Sequence, residues 1–114
     1  MHRGEVWLIN LDPAIGSEIK KTRPAVVVND DAIGILPLKV IVPITEWKDR
    51  YSVAPWMVQL EADTESGLSK PSAADAFQVR SVAQERFVRQ VGKLSEIAMR
   101  EITRALAVVL NIKL

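Results

Sequence analysis

The sequence predicts a mainly β fold (β+α): a small antiparallel barrel capped by a C-terminal α-helix. Three observations carry this. Short stretches of alternating or β-branched residues recur along the chain, separated by Gly, Pro, Asp and Asn. The run Val26-Val27-Val28 follows Pro24 and reads as strand interior. Only near the end do apolar residues switch to helical spacing. A chain of 114 residues fits one domain, spanning 1–114, and is long enough to bury a core without metal or disulfide staples.

In order, residues 5–11 (Glu-Val-Trp-Leu-Ile-Asn-Leu) form the first predicted strand, with Trp7, Ile9 and Leu11 on one face at period two. Trp7 reads as a core anchor among aliphatics. Asp12-Pro13 and Gly16 mark a loop that carries Ser17, Glu18, Lys20 and Lys21 toward the second strand. Pro24 lacks an N–H and suits the first residue of that strand, which holds Arg23 at its mouth. Residues 39–45 form a third strand. Pro43 within it argues for an edge position or a bulge, and Thr45 lies at its C-terminal end.

Residues 56–60 are a short fourth strand. The acidic, turn-rich segment 61–70 reads as a mobile loop away from any catalytic site. Residues 71–75 and 77–82 read as one or two further strands, residues 83–86 as a single helical turn, and residues 87–94 as a last strand. In that last strand Phe87, Arg89 and Val91 fall on one face by parity. Ser95 is a good N-cap, and the apolar positions that follow give an amphipathic helix of roughly four turns at 3.6 residues each.

Composition excludes several kinds of chemistry. There is no cysteine, and the one histidine, His2, sits at the start of the chain. That leaves no thiolate nucleophile, no usable imidazole base and no thiolate- or imidazole-based metal site, and no cofactor is expected. The net charge of +1 means that any nucleic-acid site is a local patch. No apolar run reaches membrane-spanning length and no signal-peptide pattern is present, so a soluble cytoplasmic protein is expected, with no membrane partner. The acidic pairs Asp30-Asp31 and Asp63/Glu65 sit in turn-forming segments and read as solvated turn residues.

What remains is a set of strand-end polar groups: Arg23, Thr45, Gln78 and Arg80. A guanidinium offers two donors to two phosphate oxygens, and a hydroxyl donates to a third. On residues 20–29 alone, Arg23 reads equally as a surface arginine beside a core strand. Trp47, Tyr51 and Trp56 could stack on unpaired bases or serve as rim or dimer contacts.

The order and spacing of several short segments resemble the MazF/PemK family of toxin endoribonucleases from end to end. They are Arg3-Gly4-Glu5-Val6-Trp7-Leu8, Asp12-Pro13, Gly16-Ser17-Glu18, Thr22-Arg23-Pro24-Ala25-Val26-Val27-Val28 and Val42-Pro43-Ile44-Thr45, followed by Ser72, Gln78-Val79-Arg80-Ser81-Val82 and Gly92-Lys93-Leu94-Ser95. The resemblance implies an SH3-like barrel of the CcdB/PemK type with a C-terminal helix, forming a homodimer. It implies metal-independent, sequence-selective cleavage of single-stranded RNA, and a cognate antitoxin that lays a disordered, mostly acidic tail over the RNA groove. The family's catalytic arginine falls on Arg23 and its strand-end threonine or serine on Thr45. RNA contacts are expected from Ser17, Glu18, Lys20, Lys21, Trp47, Gln78 and Arg80. In some members an arginine and an aspartate just before the Gln-x-Arg motif act in catalysis. Those positions here hold Asp75 and Phe77, which favours the Arg23–Thr45 pair instead.

The chemistry such a pair would serve is self-consistent. RNA brings its own nucleophile, the 2′-hydroxyl, so positioning and stabilisation of the charge on phosphorus suffice for much of the rate. A guanidinium is always protonated, so Arg23 is assigned to charge stabilisation rather than to proton abstraction. Two alternatives stand beside this reading. Related gyrase poisons act through an aromatic residue in the C-terminal tail, whereas here the tail is Asn111-Ile112-Lys113-Leu114. An SH3-like module for proline-rich peptides would use an aromatic groove, which the three tryptophans keep open.

Overall fold

The computed structural model describes residues 1–34 and 36–114. Among these, seven strands precede one helix: β1 Glu5–Asn10, β2 Thr22–Val27, β3 Leu38–Glu46, β4 Met57–Leu60, β5 Ser72–Asp75, β6 Arg80–Ala83, β7 Phe87–Lys93 and α1 Glu96–Leu110. Every strand pair is antiparallel, in the order β4-β5-β3-β2-β1-β7, with β6 also on β3. The fold class is the expected one, with a difference: β4 and β7 end the order without pairing to each other, so the sheet curls but does not close.

The long strand β3 explains how a proline fits inside the sheet. One edge of β3 pairs with β2. The other edge pairs with β6 from Leu38 to Ile41, then with β5 from Ile44 to Glu46. Pro43 lies after the last β6 pair and before the first β5 pair, where the partner changes. It is therefore not on an edge strand, as its missing N–H suggested. Pro24 is the third residue of β2, not the first, and is paired to Leu8 of β1 before the β3 ladder begins at Ala25.

The sheet separates two apolar clusters by strand parity. Val6, Val26, Val28, Val42 and Ile44 face α1 and pack with Met99, Ile102 and Ala105. Trp7, Ile9, Leu11, Ala25, Val27 and Ile41 face the other way and are joined by Val82, Ile19 and Phe87. Each fully buried Val or Ile contributes roughly 1.5–3 kcal/mol of hydrophobic stabilisation. The helix starts where expected: the Ser95 hydroxyl accepts from the Ala98 N–H at 3.1 Å, and Asn111, at φ +55°, ends it in the left-handed region.

Three local expectations fail for physical reasons. Residues Ala76–Gln78 form a 3-10 turn rather than strand, because the Asp75 carboxylate accepts from the Phe77 N–H at 3.1 Å and turns the chain. Residues 87–93 do not keep one parity. Phe87 packs in the smaller cluster and Val91 against the larger, because the β1–β7 register shifts between Val6 and Trp7 and again between Leu8 and Ile9. Segment 61–70 is fastened down, not mobile. Ser66 and Leu68 are buried, the Lys93 N–H donates to the Glu65 carbonyl at 2.8 Å, and the segment's backbone lies directly on β7. A Cβ at Gly67 would fall 1.9 Å from the Val91 carbonyl oxygen, and one at Gly92 would fall 2.2 Å from that of Ser66.

Candidate functional site

Strands β2 and β3 pair as Ala25↔Pro43, Val26↔Val42 and Val27↔Ile41. Continuing that register by one step on the same face sets Arg23 opposite Thr45. The two line one cavity of about 220 Å³ at the end of the strand pair. Arg23 is exposed, and its Nε donates to the Lys20 carbonyl at 3.3 Å, which draws the guanidinium back over the incoming loop.

Two groups that sequence reasoning missed share this cavity. Arg89 of β7 enters its wall, as do Gly67, Leu68, Ser69 and Lys70 from the segment expected to lie elsewhere. Lys70 pairs with Glu46 at 3.6 Å across the rim. Three cations therefore meet one carboxylate, which is already paired, and the cavity favours an anion. Leu8 pairs with both Pro24 and Arg89, so β1 bridges the arginine-bearing strands. No window of sequence shows this bridge, because β1 and β7 lie at opposite ends of the chain.

A second cavity, of about 490 Å³, lies beside the first and is lined by Ser17, Glu18, Ile19, Pro43, Phe77, Gln78, Val79 and Arg80. Pro43 shares a strand face with Thr45, two residues on, so β3 runs from one cavity to the other.

Loop 13–22, which brings Ser17 and Glu18 here, is pinned at its base and tip. At the base, Arg86 donates to the Asn10 carbonyl at 3.0 Å and also to the carbonyl of Asp12. The Asp12 carboxylate accepts from the Lys21 N–H at 2.9 Å, and Lys21 sits at φ +70°, a conformation rare for a residue with a Cβ. At the tip, Gln78 clamps the loop with both ends of its amide: Oε1 accepts from the Ile19 N–H at 2.6 Å and Nε2 donates to the Ser17 carbonyl at 3.2 Å. Glu18 turns its carboxylate back to the Ile15 N–H at 2.7 Å.

The other sequence candidates are placed as follows. Lys20 and Lys21 are exposed on the loop's return toward β2 and line neither cavity. Arg80 is half-buried, opposite Ile41 of β3. Trp47 lines neither cavity and packs edge-to-face on Tyr51 at 5.9 Å. Asp75 is buried under the second cavity's turn. Burial pushes its carboxyl up from the usual range, although hydrogen bonds from Phe77 and Gln78 pull the other way.

Residues 2–110 match the family described as PemK-like, MazF-like toxins of type II toxin–antitoxin systems. Endoribonuclease MazF9 of Mycobacterium tuberculosis is 37% identical over 118 aligned positions, covering 98% of each chain. Among solved structures, MazF from Deinococcus radiodurans superposes with a TM-score of 0.81 at 23% identity, covering 98% of this chain and 97% of that one. A mycobacterial endoribonuclease in complex with its cognate antitoxin superposes at 0.79 and 18% identity, over 100% of this chain and 98% of that one. The family match runs through both cavities and the strands that build them, and the chain belongs to the PemK/MazF toxin family of type II toxin–antitoxin systems.

Proposed function

We propose that this toxin is a metal-independent, sequence-selective endoribonuclease acting on single-stranded RNA. The observation that carries the reading is the Arg23–Thr45 juxtaposition at the mouth of β2 and β3, in a cavity whose charges favour a phosphate. The 2′-hydroxyl of the RNA gives up its proton to solvent as its oxygen attacks the adjacent phosphorus, the bond from phosphorus to the 5′-oxygen breaks, a 2′,3′-cyclic phosphate forms, and the 5′-oxygen leaves with a proton from solvent. Arg23 stabilises the charge that builds on the equatorial oxygens, and the Thr45 hydroxyl holds one of them. Arg89 and Lys70 supply further positive charge around the phosphate. Ser17 and Glu18, on the pinned loop beside the second cavity, contact the flanking nucleotides, with Arg80 in the same wall.

The test is cleavage of a long RNA by purified protein in EDTA, with single-turnover rates and melting temperatures measured on the same preparations. Arg23→Ala should lose on the order of a hundred- to thousand-fold in rate while staying folded, since Arg23 is exposed and buries little. Arg23→Lys should recover only part, because a point charge cannot make the two-pronged contact. Thr45→Ser should cut and Thr45→Val should not. A stable Arg23→Ala protein cutting at the wild-type rate would refute the assignment.

We further propose that the toxin is a homodimer, neutralised by a cognate antitoxin whose disordered acidic tail competes with RNA for the same cations. Supporting this are the family and apolar residues left exposed on α1 and the tail: Ile97, Val108, Leu110, Ile112 and Leu114. Light scattering that finds a monomer at micromolar concentration excludes the dimer. Undiminished RNA binding in the presence of saturating acidic antitoxin peptide excludes that competition. Action in the cytoplasm fits an RNA substrate, and no helix among the described residues is long and apolar enough to cross a membrane. Recovery of the native protein in a membrane fraction would count against it.

A further inference from the structure

Phe77 has no acid–base chemistry to offer. It is nonetheless 65% exposed, high for a large aromatic, and it lines the second cavity. Its position is fixed from three sides. The Asp75 carboxylate holds its backbone N–H at 3.1 Å, buried Ala76 anchors the same 3-10 turn, and Trp56 meets its ring edge-on at 5.9 Å. The Trp56 contact is 64° from parallel, which leaves a face of the Phe77 ring free of stacking with its neighbour.

The cavity around it is lined by both apolar and polar side chains. Ile19 and Val79 supply apolar surface, with buried Pro43 beneath, while Ser17, Glu18 and Arg80 supply donors and acceptors. Pro43 and Thr45 lie on one face of β3, about 6.7 Å apart at the usual strand rise, so this cavity is within one nucleotide's reach of the Arg23–Thr45 phosphate site.

We infer that this cavity receives one unpaired base of the RNA strand, next to the scissile phosphate, and that Phe77 is the platform on which that base stacks. This inference rests on the endoribonuclease reading. This chain then puts a stacking surface beside the cut. Stacking on an aromatic is tolerant of base identity, so discrimination falls to the polar groups of Ser17, Glu18 and Arg80 around the base edge.

The experiment first maps the cut made by the wild-type protein. It then measures binding to a short RNA with a single 2′-deoxy substitution at that cut, which removes the nucleophile and leaves binding intact. Phe77→Ala should weaken this binding by about 5- to 150-fold, the range that loss of one stacked base produces. Phe77→Trp should restore it, whereas Phe77→Leu, which keeps apolar bulk against Trp56, should not. Abasic nucleotides placed singly on either side of the cut supply the second arm. At one position the abasic RNA should bind wild type as weakly as the intact RNA binds Phe77→Ala, and combining the two changes should cost little more.

Wild-type affinity in Phe77→Ala overturns the inference, as do additive losses or full rescue by leucine. If the wild-type protein cuts no RNA, the endoribonuclease reading itself has failed. If it cuts RNA but these outcomes occur, only the role of Phe77 has.

Discussion

Removing the Gln78 amide should loosen the loop that carries Ser17 and Glu18 without unfolding the protein. Two hydrogen bonds are lost in Gln78→Ala: the partly buried one from the Ile19 N–H at 2.6 Å and the exposed one to the Ser17 carbonyl at 3.2 Å. A net value of about 0.5–1.5 kcal/mol for each, with the exposed bond at the low end, gives about 1–2 kcal/mol. That raises the population of the open loop by about 5- to 30-fold. The base of the loop keeps its own ties through Asp12 and Arg86, so the opening stays local. The direct reporter is hydrogen exchange at the Ile19 amide in the RNA-free protein, which should accelerate by that factor while the melting temperature moves little. Gln78→Glu keeps an acceptor for Ile19 and loses the donor to Ser17, so it should fall between. If Gln78 acts only by touching RNA, exchange at Ile19 in the free protein stays at the wild-type rate, and that result refutes the clamp.

Three further outcomes are expected. Arg89→Ala should weaken RNA binding at low salt and flatten the dependence of log affinity on log salt by about 0.7, the value of one single-strand phosphate contact; an unchanged slope places Arg89 off the RNA. Gly92→Ala should lower the melting temperature by at least about 5 °C, because the new Cβ meets the Ser66 backbone at 2.2 Å and neither β7 nor the segment packed on it can yield cheaply; an unchanged thermogram would contradict the packing. Asp75 has a folded-state pKa raised by burial, so its contribution to stability is complete below the usual carboxylate range and is lost as pH rises through the raised value. Asp75→Asn keeps an acceptor and should remove that decline, which denaturant titrations from pH 3 to 7 would reveal; parallel curves for the two proteins would exclude it.

The parts of this fold that sequence conveyed are those set by local pattern. The alternation through Trp7, Ile9 and Leu11 faces one cluster as read, and Ser95 caps the helix it was expected to cap. Strand-end positions of Arg23 and Thr45 were also legible, since each sits where an apolar run meets a polar segment. Three of the misreadings share a cause in contacts between distant segments. Pro43 looked like an edge residue because nothing local shows that β3 changes partners beside it. Acidic composition made residues 61–70 look mobile, although two glycines 25 positions apart, Gly67 and Gly92, bring their backbones together. Parity failed for β7 because its register with β1 shifts twice, and that is why Arg89 was not placed beside Arg23.

The open sheet has a consequence in the order of synthesis. Strands β1, β2 and β3 are consecutive in the chain and pair as a meander, so the surface bearing Arg23 and Thr45 can assemble from early residues. The outer edge of β1 stays empty until residues 87–93 have emerged, and segment 61–70 has nothing to press against until Gly92 arrives. Arg89 and Lys70 reach the cavity beside Arg23 and Thr45 only then. Until then Arg23 and Thr45 stand without the wall that β7 and residues 67–70 supply.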